Sequence, residues 1–257
     1  LLSMYPEHVQ RIGFEPVSQF DIIYPWQRPG DWWFQVYFPP VGEQLVGQPK
    51  IITSIAQFYN VGNINEYTAA IKNWLHPDGI WVIQMPDLAQ MLGLNAFDNI
   101  CYEHLTYWPL HALLSLLDRH GLEIAAMSAN KVNGGSTRYT IRHARVVRKP
   151  CKAKWLWHHH FIVLRDNLSH LKHDTVKLLA SLDKQVLGYG ASTKGNTLLQ
   201  YYGITPELLP AIADRNPDKW GKLTVGSHIP IISEADMRDL NPDYLFVLPW
   251  GFIDAFK

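Results

Sequence analysis

Residues 50–58 (KIITSIAQF) and 79–85 (GIWVIQM) are short, rich in β-branched residues and apolar on both faces, the pattern of strands buried inside a sheet. Between them Tyr67, Ile71, Trp74 and Leu75 recur at helical spacing. Asn63 or Asn65 is placed to cap that helix, and His76-Pro77-Asp78-Gly79 to turn the chain back. Strand, helix, turn, strand is a crossover unit, and it commits this part of the chain to a parallel sheet. An earlier strand is predicted over residues 9–14, ending at Glu15. Residues 16–49, rich in Pro, Gly, Trp and Gln, have no period and read as irregular with one short helix. An amphipathic helix over 109–119 carries Leu110, Leu113, Leu114 and Leu117 and is stopped by Gly121. Strands at 122–131 and 137–143, joined through Asn133-Gly134-Gly135-Ser136, form an antiparallel pair that closes the sheet.

A basic connector, residues 145–154, leads into a long helix over 155–181. A second alternation follows: strand 185–189, helix 193–202, strand 210–213, strand 229–232, helix 233–239, strand 244–248, and a helix starting after Trp250. The prediction is an α/β chain with a first domain over residues 1–148 and a compact second one over 149–257. Equal numbers of basic and acidic residues, 23 each, argue against a general nucleic-acid binder. Two cysteines, Cys101 and Cys151, cannot build a disulfide framework or a four-cysteine zinc site. No apolar run nears the roughly 20 residues that span a bilayer. The expectation is a cytoplasmic protein without membrane or nucleic-acid partners.

Gly188-Tyr189-Gly190-Ala191-Ser192-Thr193-Lys194-Gly195-Asn196 sits where a strand becomes a helix. Glycines there permit a tight turn, and the helix start offers N–H groups and a positive dipole to a phosphate. Ser192 and Thr193 add hydroxyls and Lys194 a charge. The spacing fits neither a P-loop nor G-x-G-x-x-G, and the lesser reading of these residues is a tight turn capped by Ser192. Asp214, about 20 residues on, stands where a nucleotide ribose is often held, or else serves the turn Asp214-Arg215-Asn216-Pro217. In Cys101-Tyr102-Glu103-His104 a His beside a Glu offers a general base with a tuning carboxylate. His158-His159-His160 cannot converge on one metal ion, because successive helical residues diverge by about 100°.

Taken in order, GFEP, PDGIWVIQMPDL, NICYEHLTYW, NGGSTRYTI, GYGASTKGNTLL, ADRNPDKWGK, SHIPII and PDYLFVLPWGF resemble the S-adenosyl-L-methionine-dependent C-methyltransferases that act on nucleotide-linked sugars. The resemblance covers nearly the whole chain. It implies two Rossmann-like domains, the first for the methyl donor, with an NDP-sugar lying between them. His104 would be the base that forms an enolate next to a sugar ketone, with Glu103 beside it. Tyr102, Asn133 and the Gly134-Gly135 backbone would be ketone neighbours. Gly190, Ser192, Thr193, Lys194, Gly195 and Asn196 would hold the diphosphate, with Asp214 on the substrate side. Glu15 would bind the donor's ribose hydroxyls, and Tyr59 falls on the same side, at a place where the family often has His. Cys101 stands where Tyr is common. The donor's Gly-rich loop and first strand are expected ahead of Leu1, as is the cysteine-rich zinc module with which the family usually begins; no metal ligands are assigned here. Two other readings fit the residues: a non-catalytic nucleotide or nucleotide-sugar binding module, and, less well, a nicotinamide dehydrogenase.

Overall fold

The computed structural model describes residues 4–6, 8–16, 31–40, 47–146 and 157–253. Strands β1 (Ile12–Phe14) and β2 (Trp32–Phe34) pair in parallel as a two-stranded strip. The first larger sheet is built from β3 (Ile51–Ile55), β4 (Ile80–Pro86), β5 (Leu122–Asn130) and β6 (Ser136–His143), in the order β3-β4-β6-β5. The β3–β4 pair is parallel and both pairs of β6 are antiparallel, so the predicted crossover unit and closing hairpin are both present.

Helix α1 (Ile64–Trp74) makes the crossover. Asn63 caps it: Oδ1 accepts from the Glu66 N–H at 3.3 Å and Nδ2 donates to the Glu66 carboxylate at 2.9 Å. Asn63→Ala should therefore lower unfolding stability by about 1 kcal/mol, read as a shift of the urea midpoint at constant slope. The helix lays Tyr67, Ile71 and Trp74 against Trp81 and Ile83 of β4, and α3 (Leu110–Arg119) adds Leu113, Leu116 and Leu117. Ser54 makes burial of the large aromatics tolerable, since its Oγ bonds both the Tyr67 hydroxyl, at 2.8 Å, and the Trp81 indole N–H, at 2.9 Å.

The expectation that β3 is apolar-buried on both faces is corrected. Among the described residues it pairs only with β4, and Ile51 and Ile55 are 48% and 39% exposed. Short α2 (Leu88–Gly93) and the 3-10 turn Phe97–Asn99 had no periodic signal strong enough to predict them.

Helix α4 (His158–Ser181) leads into the second sheet, where β7 (Val186–Tyr189), β8 (Ile212–Ala213), β9 (Ile231–Ile232) and β10 (Tyr244–Val247) lie in the order β10-β7-β8-β9, all parallel. Helices α5 (Thr193–Tyr202) and α6 (Glu234–Leu240) connect them. After β10 a 3-10 turn, Trp250–Phe252, leads into a helical Ile253, the last described residue, where the sequence predicted a helix to start. The core around this sheet also takes in Leu88, Met91, Leu92, Ala96 and Phe97 from the first half of the chain. The predicted boundary at 148/149, Cys151 and most of the connector fall outside the described residues. No described helix is long and apolar enough to cross a membrane.

Candidate active site

The carboxyl ends of β3 and β4 carry the loops that converge here. Past β3, Ala56 takes a left-handed backbone (φ 54°) and the chain turns into Phe58–Asn60, which buries Tyr59. Past β4, Asp87 caps α2 by accepting from the Gln90 N–H at 3.0 Å, and its other oxygen accepts from the Tyr139 hydroxyl at 3.2 Å. The loop from Phe97 to Trp108 lies across both. Its far end is pinned to Tyr59, whose carbonyl accepts the Thr106 N–H and hydroxyl, each at 3.1 Å. The Tyr59 and His104 rings meet edge to face at 4.4 Å. Tyr59, Asp87, Met91, His104, Thr106 and Tyr107 line one pocket.

Burial lowers the His104 pKa below its ordinary value, and the positive charge of Lys194 pushes the same way, so the imidazole is held neutral. Burial raises the Tyr59 phenol and the Cys101 thiol, which leaves Cys101 a thiol rather than a nucleophilic thiolate.

The predicted glycine turn joins β7 to α5. Ser192 is the N-cap and accepts from the Gly195 N–H at 3.0 Å. The turn is in direct contact with the His104 loop. Thr193 donates its hydroxyl to Glu103 at 3.2 Å, and Lys194 Nζ donates to Asn99 Oδ1 at 2.7 Å. From the end of the second sheet, the Trp250 indole N–H donates to Asp98 Oδ2 at 3.0 Å, and the same ring covers Gly134, where an added Cβ would lie 2.8 Å from it. The structure thus brings together Tyr59, Glu103, His104, Gly134, Thr193 and Lys194.

The other predicted residues are placed as follows. Tyr102 is 97% exposed, on the same loop as Glu103 and His104. Tyr102→Ala should leave unfolding stability within about 0.5 kcal/mol of the parent, as for surface substitutions generally, in a urea titration. Gly134 and Gly135 donate their N–H groups to Lys131 and Val132 carbonyls, so their turn already uses those donors. The Asn133 side chain is outside the described residues, although its backbone belongs to the turn Val132–Gly134. The Glu15 N–H donates to the Phe34 carbonyl, which ties the end of β1 to β2. Asn196 Oδ1 is buried with no hydrogen-bond partner. Asp214 accepts from Lys219 Nζ at 3.1 Å and from the Asn216 N–H at 2.8 Å, serving the turn that the sequence offered as its other reading. His158, His159 and His160 are exposed, and no group of metal-binding side chains occurs among the described residues.

Sequence reasoning missed Asp98, Asn99 and Trp250. Asp98 and Asn99 are 5% and 1% exposed. The signal was a polar pair enclosed by Phe97 and Ile100, which in a buried setting demands partners.

Residues 3–126 match the family model of a methyltransferase domain, and residues 131–257 that of a C-methyltransferase C-terminal domain. C-methyltransferase NovU of Streptomyces niveus is 28% identical over 229 residues, which is 82% of this chain and 54% of that protein. The chain thus spans about half the length of this curated relative. Among solved structures, StiE O-MT residues 961–1257 aligns over 64% of this chain and 67% of its own at 7% identity, with a TM-score of 0.42. An O-methyltransferase of a Brevibacillus brevis trans-AT PKS multienzyme, in complex with S-adenosyl-L-homocysteine, aligns over 53% and 67% at 10% identity, with a TM-score of 0.37. Likeness at that level carries no weight beside the family models.

Proposed function

We propose that this chain, which belongs to the C-methyltransferase family, takes part in moving a methyl group from S-adenosyl-L-methionine to a carbon beside the ketone of a nucleotide-linked sugar. The observation that carries the reading is His104: a half-buried imidazole whose pKa is held below its ordinary value, set against Tyr59 in a pocket, on a loop bonded to the first turn of α5. A neutral imidazole can take a proton, and a positioned base is what a weak carbon acid requires.

The imidazole nitrogen of His104 takes the C–H proton, and the electron pair left behind forms the enolate. Glu103 stabilises the imidazolium that results. Asn133 is the side chain assigned to the ketone oxygen. The backbone N–H groups that head α5, at Thr193 and Lys194, receive the diphosphate beside the Ser192 hydroxyl, with Gly190, Gly195 and Asn196 shaping the turn and Asp214 toward the nucleotide. The rings of Tyr59 and Tyr107 and the Asp87 carboxylate around the pocket suit a sulfonium cation. Glu15 and Tyr59 are the residues assigned to hold the donor. When bound, the donor supplies an electrophilic methyl group on cationic sulfur.

The test is deuterium exchange at the carbon beside the ketone of a thymidine-diphosphate keto-sugar, with calorimetry of that sugar and of S-adenosyl-L-methionine. Exchange together with binding of both supports the reading. Binding of the sugar nucleotide with neither exchange nor donor binding makes the chain a non-catalytic nucleotide-sugar module instead.

A further inference from the structure

The loop that carries His104 is gripped chiefly from the other half of the chain. Along it, Asp98 takes the Trp250 indole N–H, Asn99 takes the Lys194 ammonium, the Ile100 carbonyl takes the Thr197 hydroxyl at 3.5 Å, and Glu103 takes the Thr193 hydroxyl. Three of these four partners lie on α5. Phe97, at the loop's start, packs its ring against Tyr201 and Tyr202 farther along the same helix. Of the four partners that hold the loop, Lys194 is the charged one. Its side chain is partly buried, and burial lowers its pKa while the Asp98 carboxylate opposes that fall. Asp98 Oδ1 is itself buried with no hydrogen-bond partner, so the two charges depend on each other across the junction.

We propose that Lys194 is a positioning residue for His104: its ammonium anchors the 98–104 loop through Asn99 and is the positive charge that the α5 side presents to the imidazole. The second unit is then part of the base's own site and more than a holder of substrate. The charged and titratable groups around His104 are Tyr59 from the turn after β3, Asp87 from the start of α2, Tyr107 in the pocket wall, Cys101 and Glu103 from its own loop, and Lys194 from α5. Of these only Lys194 is cationic. Asn99 further links the two, since its side chain accepts from Lys194 while its backbone favours the protonated form of His104 against the effect of burial.

The inference rests on the reading of His104 as the base, but its test does not. The titration of the His104 imidazole is followed by NMR in the ligand-free chain for the parent, Lys194→Met, Lys194→Gln and Lys194→Arg. Removing the cation takes away repulsion of the imidazolium, so the Met and Gln variants should titrate at higher pH than the parent, and Arg should return the midpoint toward it. Gln retains a donor for Asn99 and guards against a loop that has simply come loose. Unchanged midpoints in both neutral variants would overturn the proposal. A shifted midpoint in an enzyme whose exchange ignores His104 would uphold Lys194 as the positioning residue and reject the base assignment alone.

Discussion

His104→Ala is expected to slow deuterium exchange beside the ketone by about 10²–10⁴-fold, the usual contribution of a positioned general base. Sugar-nucleotide affinity should stay near that of the parent, because the groups assigned to the diphosphate lie on α5. The fold should survive, since the ring is only half buried and its main neighbour, Tyr59, is held independently by Thr106. The pH dependence has a definite sign. Burial and the Lys194 charge both disfavour imidazolium, so the folded pKa lies below the ordinary value of about 6.5. The fraction able to accept a proton therefore persists to lower pH than for a solvent-exposed histidine. In the parent the acid limb of exchange should fall below about pH 6.5, and in His104→Ala that limb should vanish with the activity. Parent-like exchange in His104→Ala would end the assignment.

The same residues show why some of this site was legible in sequence and some was not. The strand-helix-strand alternation was readable because its period reports directly on which side chains must be buried. Thus α5 begins and ends at the predicted residues and α3 within one. Glu103-His104 stood out only through the resemblance of its motif, since a His beside a Glu is a weak signal alone. Burial of Tyr59 was not readable, since it depends on the Phe97–Trp108 loop folding back from nearly 50 residues away. Asp98 and Asn99 follow the same rule: their partners Trp250 and Lys194 lie 152 and 95 residues on. Local patterns give elements and local chemistry, whereas a shared site is a long-range property. The exposed edge of β3 failed for a related reason. Apolar residues on both faces predict a central strand only when neighbours exist on both sides, and the described residues supply one.

The glycine turn shows how a motif of one appearance can have two causes. Gly190→Ala is expected to cost about 2–5 kcal/mol of unfolding stability with no ligand present, as the sum of two terms. The backbone is left-handed there, with φ 84°, which costs an L residue about 1–2 kcal/mol. An added Cβ would also lie 2.6 Å and 2.7 Å from the Pro249 ring, an overpacking that costs about 1–3 kcal/mol more. Neither neighbour yields easily: the Gly190 N–H donates to Ala213 at 2.7 Å, and Pro249 is a rigid ring directly after β10 and Leu248. Gly203→Ala is the internal control. Its φ is 72° and nothing lies within 4 Å of its added Cβ, so it should lose only the backbone term, about 1–2 kcal/mol. Urea unfolding of both variants separates the terms. A Gly190 loss no greater than the Gly203 loss would remove Pro249 as a cause and leave the turn's glycine to be explained by ligand approach. The expected larger loss instead makes Gly190 a packing requirement: it lets β7 and β10 end side by side, and so sets Ser192, Thr193 and Lys194 where Thr193 reaches Glu103 and Lys194 reaches Asn99.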